Sequence, residues 1–289
     1  MSSETVQTEM SSILNNSNLT EQTTESSAYS SETVASSSDS VDETSMSEKE
    51  QVTKKDEPSV QTEPISEKFF ISISDVNYVL LKNLDGEIID DGGKNYQKTL
   101  AAQEVTSDDD TKYYLLSNPK GEVGYIDPNS TERVTGEEGK LFSESNAYAS
   151  IQSTDAKLFT IDFEQNGTTE ELKDQTFKIA GYYNHYDEKV YYLLKNSSDQ
   201  SIGIVEASSV EKTDNPAGIK HAVNDYYSVV KEDQKIWKDL DFADELGTTA
   251  SINEKTFNVK EWCYHFNGKK YFALYDNGGD SRGMLKKRH

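Results

Sequence analysis

Thr256-Phe257-Asn258-Val259, Glu261-Trp262-Cys263-Tyr264-His265-Phe266, Asn267-Gly268 and Lys269-Lys270-Tyr271-Phe272-Ala273-Leu274 decide the fold class. The run alternates in polarity and is rich in aromatic and β-branched residues, which suits strands rather than helices. Asn-Gly between two such runs is a strong hairpin signal, because both residues take positive φ at little steric cost. The hairpin places Trp262, Tyr264 and Phe266 on one face and Cys263 and His265 on the other.

The same order of landmarks is written three times. Each copy reads as a Tyr-led strand, a Thr-plus-apolar strand, a paired-aromatic strand and a Gly before an apolar residue. The first copy has Tyr78-Val79-Leu80-Leu81, Thr99-Leu100, Tyr113-Tyr114-Leu115-Leu116 and Gly124-Tyr125-Ile126. The second has Tyr148-Ala149-Ser150-Ile151, Thr176-Phe177-Lys178-Ile179, Tyr191-Tyr192-Leu193-Leu194 and Gly203-Ile204-Val205. The third has Tyr226-Tyr227-Ser228-Val229, Thr256-Phe257-Asn258-Val259, Tyr271-Phe272-Ala273-Leu274 and Gly283-Met284-Leu285. In this register Ile88 matches Leu158 and Ile236, and the Tyr-to-Thr separation grows from 21 residues to 28 and 30. A repeat of this length implies an array of small units, and arrays commonly serve binding. Short strands at such spacing predict small, strongly bent barrels.

The expected division is a tail over residues 1–68 and units over 69–145, 146–219 and 220–289. A unit of that size buries only about 60% of its unfolded surface, so neighbouring units are expected to lean on one another. The first 67 residues contain no Gly, one aromatic (Tyr29), 14 acidic and 3 basic side chains. Such a segment lacks the apolar surface to offset its ordering entropy and is expected to be a disordered stalk.

Across the whole chain the formal net charge is −23. That excludes nucleic acid bound by counterion release as the expected partner. Charge is unevenly spread, and the third unit, with Lys286, Lys287 and Arg288, is the one most suited to an anionic polymer. Cys263 is the only cysteine, so no internal disulfide forms, and it is expected to be a half-buried strand residue. The sequence has no long apolar run to predict a transmembrane segment, and no basic-plus-apolar leader follows Met1; a leader for a secreted protein is expected upstream or already removed.

Thr-Phe-x-Val/Ile, an exposed hairpin, Tyr-Tyr-x-Leu, a turn and Gly before an apolar or aromatic residue resemble the GW module of Gram-positive surface proteins and autolysins. The resemblance covers about residues 69–289, with Gly124-Tyr125, Gly203-Ile204 and Gly283-Met284 where that family has Gly-Trp. It implies an all-β chain of three tandem SH3-like barrels preceded by a disordered tail. It further implies a non-catalytic, extracellular, cell-wall-associated protein that attaches to teichoic or lipoteichoic acid or to a glycan. The alternatives are the targeting region of a peptidoglycan hydrolase whose catalytic domain lies elsewhere, a host-glycan adhesin, or a structural spacer. The chain is expected to be monomeric, with no cofactor.

His185 and His265 occupy equivalent hairpin places, matched by Asp108 in the first copy, and are expected to be exposed turn residues. No HExxH, CxxC or EF-hand loop is present, so Asp108-Asp109-Asp110 and Asp90-Asp91-Gly92-Gly93 read as solvated turns and no metal or catalytic set is nominated. One aromatic of each pair is expected to face outward. With Tyr182, Tyr183 and Tyr186, it would stack on a sugar or pack on the next unit. Lys269, Lys270, Arg282 and Lys286 are the candidate contacts for an anion.

Overall fold

The computed structural model describes residues 67–229 and 233–287. Most of the expected stalk, residues 1–66, lies outside them, as does His289. The chain divides into two units at Val60/Gln61, and the second holds all the described structure. The protein is all-β, built from three antiparallel sheets with four single 3-10 turns among the described residues.

The first sheet contains β1 (Phe69–Ile73), β2 (Leu80–Leu81), β3 (Ile88–Asp90), β4 (Thr99–Thr106), β5 (Lys112–Asn118), β6 (Gly121–Ile126) and β7 (Thr131–Val134). The second contains β8 (Leu141–Ser143), β9 (Tyr148–Ile151), β10 (Lys157–Phe159), β11 (Gln165–Thr168), β12 (Thr176–Asn184), β13 (Val190–Lys195), β14 (Ser201–Glu206) and β15 (Val210–Thr213). The third contains β16 (His221–Ser228), β17 (Lys235–Trp237), β18 (Glu245–Thr248), β19 (Thr256–His265), β20 (Lys269–Tyr275) and β21 (Ser281–Lys286). Their strand orders, β3-β2-β6-β5-β4-β1-β7, β11-β10-β14-β13-β12-β9-β15 and β16-β19-β20-β21-β17-β18, follow one connectivity. Among the described residues the third has no counterpart of β7 and β15.

Pairing corrects the register expected for the first copy. Ser72 faces Thr99, as Ser150 faces Thr176 and Ser228 faces Thr256. The leading strand of the first copy is therefore Phe70–Ile73, and Phe70, Tyr148 and Tyr226 stand 78 residues apart each time. Leu80, not Ile88, matches Leu158 and Ile236, because these residues pair with Ile126, Val205 and Leu285. The growing separation disappears, since the distance to the Thr is 29, 28 and 30 residues. Tyr78 misled the reading because Tyr78-Val79-Leu80-Leu81 carries the same local pattern. Its ring is 1% exposed and its hydroxyl donates to Asp90 and accepts from the Asn95 N–H at 2.7 Å.

Each sheet closes on an equivalent apolar core. Ile73, Leu80, Leu100, Leu116 and Ile126 form it in the first, Ile151, Phe177, Ile179, Leu194 and Val205 in the second, and Val229, Ile236, Phe257, Leu274 and Leu285 in the third. The repeated glycine has a steric cause. Gly124, Gly203 and Gly283 all have positive φ and face Leu116, Leu194 and Leu274. A Cβ would come within 2.5 Å of the Leu81 carbonyl, 2.7 Å of Leu158 Cδ1 and 2.5 Å of the Trp237 carbonyl, respectively. The β2-type strand crosses too close for any side chain.

Adjacent sheets touch through one recurring contact. The Tyr186 ring lies 5.3 Å from Phe70, and the Phe266 ring lies 5.2 Å from Tyr148. The same two hairpin residues donate their N–H groups to linker carbonyls, Tyr186 to Glu137 at 2.8 Å and Phe266 to Pro216 at 2.7 Å. Leu141–Ser143, expected within the first unit, pairs with β12 of the second sheet.

Candidate functional site

The second face of the β12–β13 and β19–β20 hairpins is covered, which sequence reading did not anticipate. Phe163 and Phe242, both at positive φ, fold back onto it. Phe163 packs against Tyr183 at 5.0 Å and Tyr191 at 5.6 Å, and Phe242 against His265 at 5.0 Å and Tyr271 at 5.5 Å. The first sheet has Gly86 at the place of Phe163, each N–H returning to the carbonyl three residues back, and builds no such cluster.

This second core overturns several expectations. Tyr191 and Tyr271 are buried in it, while Tyr192 and Phe272 pack on the main core, so neither member of these pairs faces freely outward. His265 is buried and His185 largely so, each accepting at Nδ1 from the N–H two residues on, at 2.9 and 3.1 Å. Burial pushes the His265 imidazole below its ordinary pKa. The residue matching these histidines in the first sheet is Ser107, not Asp108, because β12 and β19 each carry a bulge that β4 lacks. Cys263 is fully buried, and burial raises its thiol pKa to about 11. The Asn267-Gly268 turn is a three-residue loop, since His265 pairs directly with Lys269 and Gly268 takes the left-handed position.

The candidate residues separate into two groups. Tyr182 donates its hydroxyl to Gln97 Oε1 at 2.9 Å, Tyr183 is buried under Phe163, and Tyr186 packs on Phe70, so all three serve packing. Arg282 binds Asp276 and holds that carboxyl below its usual range while bracing the β20–β21 turn. Lys270 stands with Nζ 3.2 Å from the Trp262 ring centroid, and burial followed by the neighbouring Lys287 lowers its pKa.

Lys269 and Lys286 share a cavity of about 380 Å³ on the third sheet with Lys235, Trp237, Asn267 and Tyr271, and with one carboxylate, Asp233, on its wall. The ends of three elements position them. Lys235 and Trp237 come from β17, Lys269 and Tyr271 from β20, and Lys286 from the end of β21 opposite Tyr271. Lys235 pairs with Glu245 at 2.7 Å, and Asn267 Nδ2 donates to the Tyr271 hydroxyl at 2.9 Å.

The second sheet has the same groove, about 540 Å³, lined by Lys157, Phe159, Asp187, Lys189, Tyr191 and Glu206. There Lys189 is tied to Glu206 at 2.8 Å and the Tyr191 hydroxyl donates to Asp187 at 2.9 Å. Strand pairing puts Val79, Leu81, Asp109, Thr111, Tyr113 and Asp127 at the matching places of the first sheet. Six equivalent positions thus hold two carboxylates and no cation in the first sheet, two of each in the second, and three lysines and no carboxylate in the third. Charge at these six places reverses around one shared tyrosine, Tyr113, Tyr191 or Tyr271, beside Leu81, Phe159 or Trp237. The signal was present in sequence, but the first-copy register had to be corrected before it could be read.

Among the described residues no group of three His, Cys, Asp or Glu side chains is arranged to hold a metal, and no helix is long and apolar enough to cross a membrane. No family model and no curated protein matches the chain. Among solved structures, a Listeria monocytogenes protein provisionally described as an autolysin aligns with 78% of this chain and 98% of its own, at 13% identity and a TM-score of 0.26. A likeness of that size leaves the function to be argued from the residues.

Proposed function

We propose that this chain is a non-catalytic cell-surface binding protein whose three tandem GW-like, SH3-like modules attach to an anionic cell-wall polymer of the teichoic acid class, the third module making the contact. The observation that carries this reading is the charge reversal of one groove across three copies of one sheet. Three lysines against one carboxylate, Asp233, line a groove with Trp237 and Tyr271, and that excess of positive charge suits a polymer that offers spaced anions and apolar sugar or polyol faces. The acidic equivalent positions of the first module and the neutral groove of the second leave those modules to position the third.

The test is retention of the purified chain on Gram-positive cell walls, with and without teichoic acid extraction. Lys269→Glu/Lys286→Glu is expected to lose retention at least about tenfold, whereas Lys157→Glu/Lys189→Glu on the second sheet retains it. Equal losses in the two variants, or retention that survives extraction, would overturn the reading.

A further inference from the structure

The third sheet exposes what the other two cover. In the first sheet β7 pairs with β1 in the register Ile73 with Thr131 and Ile71 with Arg133. In the second, β15 pairs with β9 as Ile151 with Val210 and Ala149 with Lys212. Eight residues after Thr131 and Val210 come Gly139 and Gly218, which lie over Thr99 and Thr176 so closely that a Cβ would approach those hydroxyls to 1.8 and 1.9 Å. Under this cover Ser72, Thr99, Ser150 and Thr176 are all at most 3% exposed.

β16 stands at the edge of its sheet, and among the described residues no strand pairs with its outer side. Its Ser228–Thr256 hydroxyl pair keeps the 2.8 Å bond but is exposed, and Tyr226, the counterpart of Phe70 and Tyr148, is 68% exposed. Val229 turns both backbone groups inward, its N–H to the Lys255 carbonyl and its carbonyl to the Glu254 N–H. By antiparallel alternation Ser228 presents its N–H and C=O to the open edge. Such an edge is a template for another strand.

We propose that the outer edge of β16 is a strand-addition site for a partner polypeptide. Its extended segment carries a β-branched residue, a Lys or Arg two places on and a glycine eight places on. The two sibling sheets fix this chemistry because each shows the same edge occupied in the same register. The β-branched residue pairs with Val229 and the cation with Tyr227, beside the exposed carboxylate of Asp225, which stands where Arg133 meets Phe69 in the first sheet. The glycine caps Ser228 and Thr256. A second copy is disfavoured at this edge, since β16 carries no Lys or Arg to meet Asp225 and the chains have net charge −23.

The experiment uses the full chain, isotope-labelled, and a synthetic peptide spanning Glu206 to Ile219, which holds the closing strand and glycine of the second sheet. Saturating peptide is expected to slow exchange of the Ser228 amide about tenfold or more, and a scrambled peptide to leave it unchanged. Ser228→Pro, which removes the outward N–H and with it the reporting amide, is read instead by titration with fluorescently labelled peptide and is expected to abolish binding while the Val259 and Leu274 amides stay protected. A peptide with Lys212→Glu, which needs no refolding of the protein, binds about tenfold more weakly through repulsion from Asp225. Absence of slowing at the peptide's solubility limit overturns the proposal. So does a Ser228 amide already protected in the chain alone; protection that rises with protein concentration would assign the edge to a second copy.

Discussion

Gly203 and Gly283 join the positive-φ backbone to the close crossing of a neighbouring strand, and their substitution tests both causes together. Gly203→Ala and Gly283→Ala are each expected to lower stability by about 2–4 kcal/mol, through steric overlap added to the strain of a large positive φ. Gly278→Ala, on a turn where the nearest atom is 3.3 Å from an added Cβ, is expected to change the denaturation midpoint far less. His265 gives a second prediction. Burial favours its neutral form, so as pH falls below the ordinary imidazole value of 6.5 the unfolded chain binds the proton first. Its contribution to stability is full above that value and is lost as pH falls towards the lower folded-state value. Urea midpoints between about pH 7 and 5 should fall for the natural chain, with a shallower slope in His265→Gln. Neither histidine's burial was legible locally, because it is made by Phe163 and Phe242, about twenty residues away in sequence.

The elements were legible as strands from alternation and turns, but which strand led the first copy was not. Tyr78–Leu81 and Phe70–Ile73 both satisfy the local pattern, and only the pairing of Ser72 with Thr99 decides between them. The hairpin tips show a similar division. Sequence placed Tyr186 and Phe266 at a turn, and the neighbouring sheet turns them into inter-sheet contacts. Tyr186→Ala removes a ring contact and leaves Phe70 uncovered, so an expected loss of about 1–3 kcal/mol should appear in thermal unfolding. If the sheets unfold as one unit, the whole transition shifts. A separate early transition for the first sheet would show instead that this contact is what couples it to the second.

At the scale of the whole molecule, a net charge of −23 opposes an anionic polymer while three lysines in one groove favour it. The two effects differ in range. The Debye length is about 30 Å at 0.01 M salt, 10 Å at 0.1 M and 3 Å at 1 M, so low salt transmits the overall repulsion, intermediate salt leaves the groove's local attraction, and high salt screens both. Wall retention is therefore expected to pass through a maximum near about 0.1 M, measurable as bound fraction across a salt series; retention that only rises towards low salt would contradict this balance. By itself the sequence determined the all-β class, the threefold repeat and the concentration of positive charge in its last third, because these follow from alternation, spacing and composition along the chain. Tertiary structure decided the register of the first copy, the second aromatic core, the groove that gathers Lys235, Lys269 and Lys286, and the open edge of β16. Those properties depend on which strands pair across many residues, and local pattern admits more than one pairing.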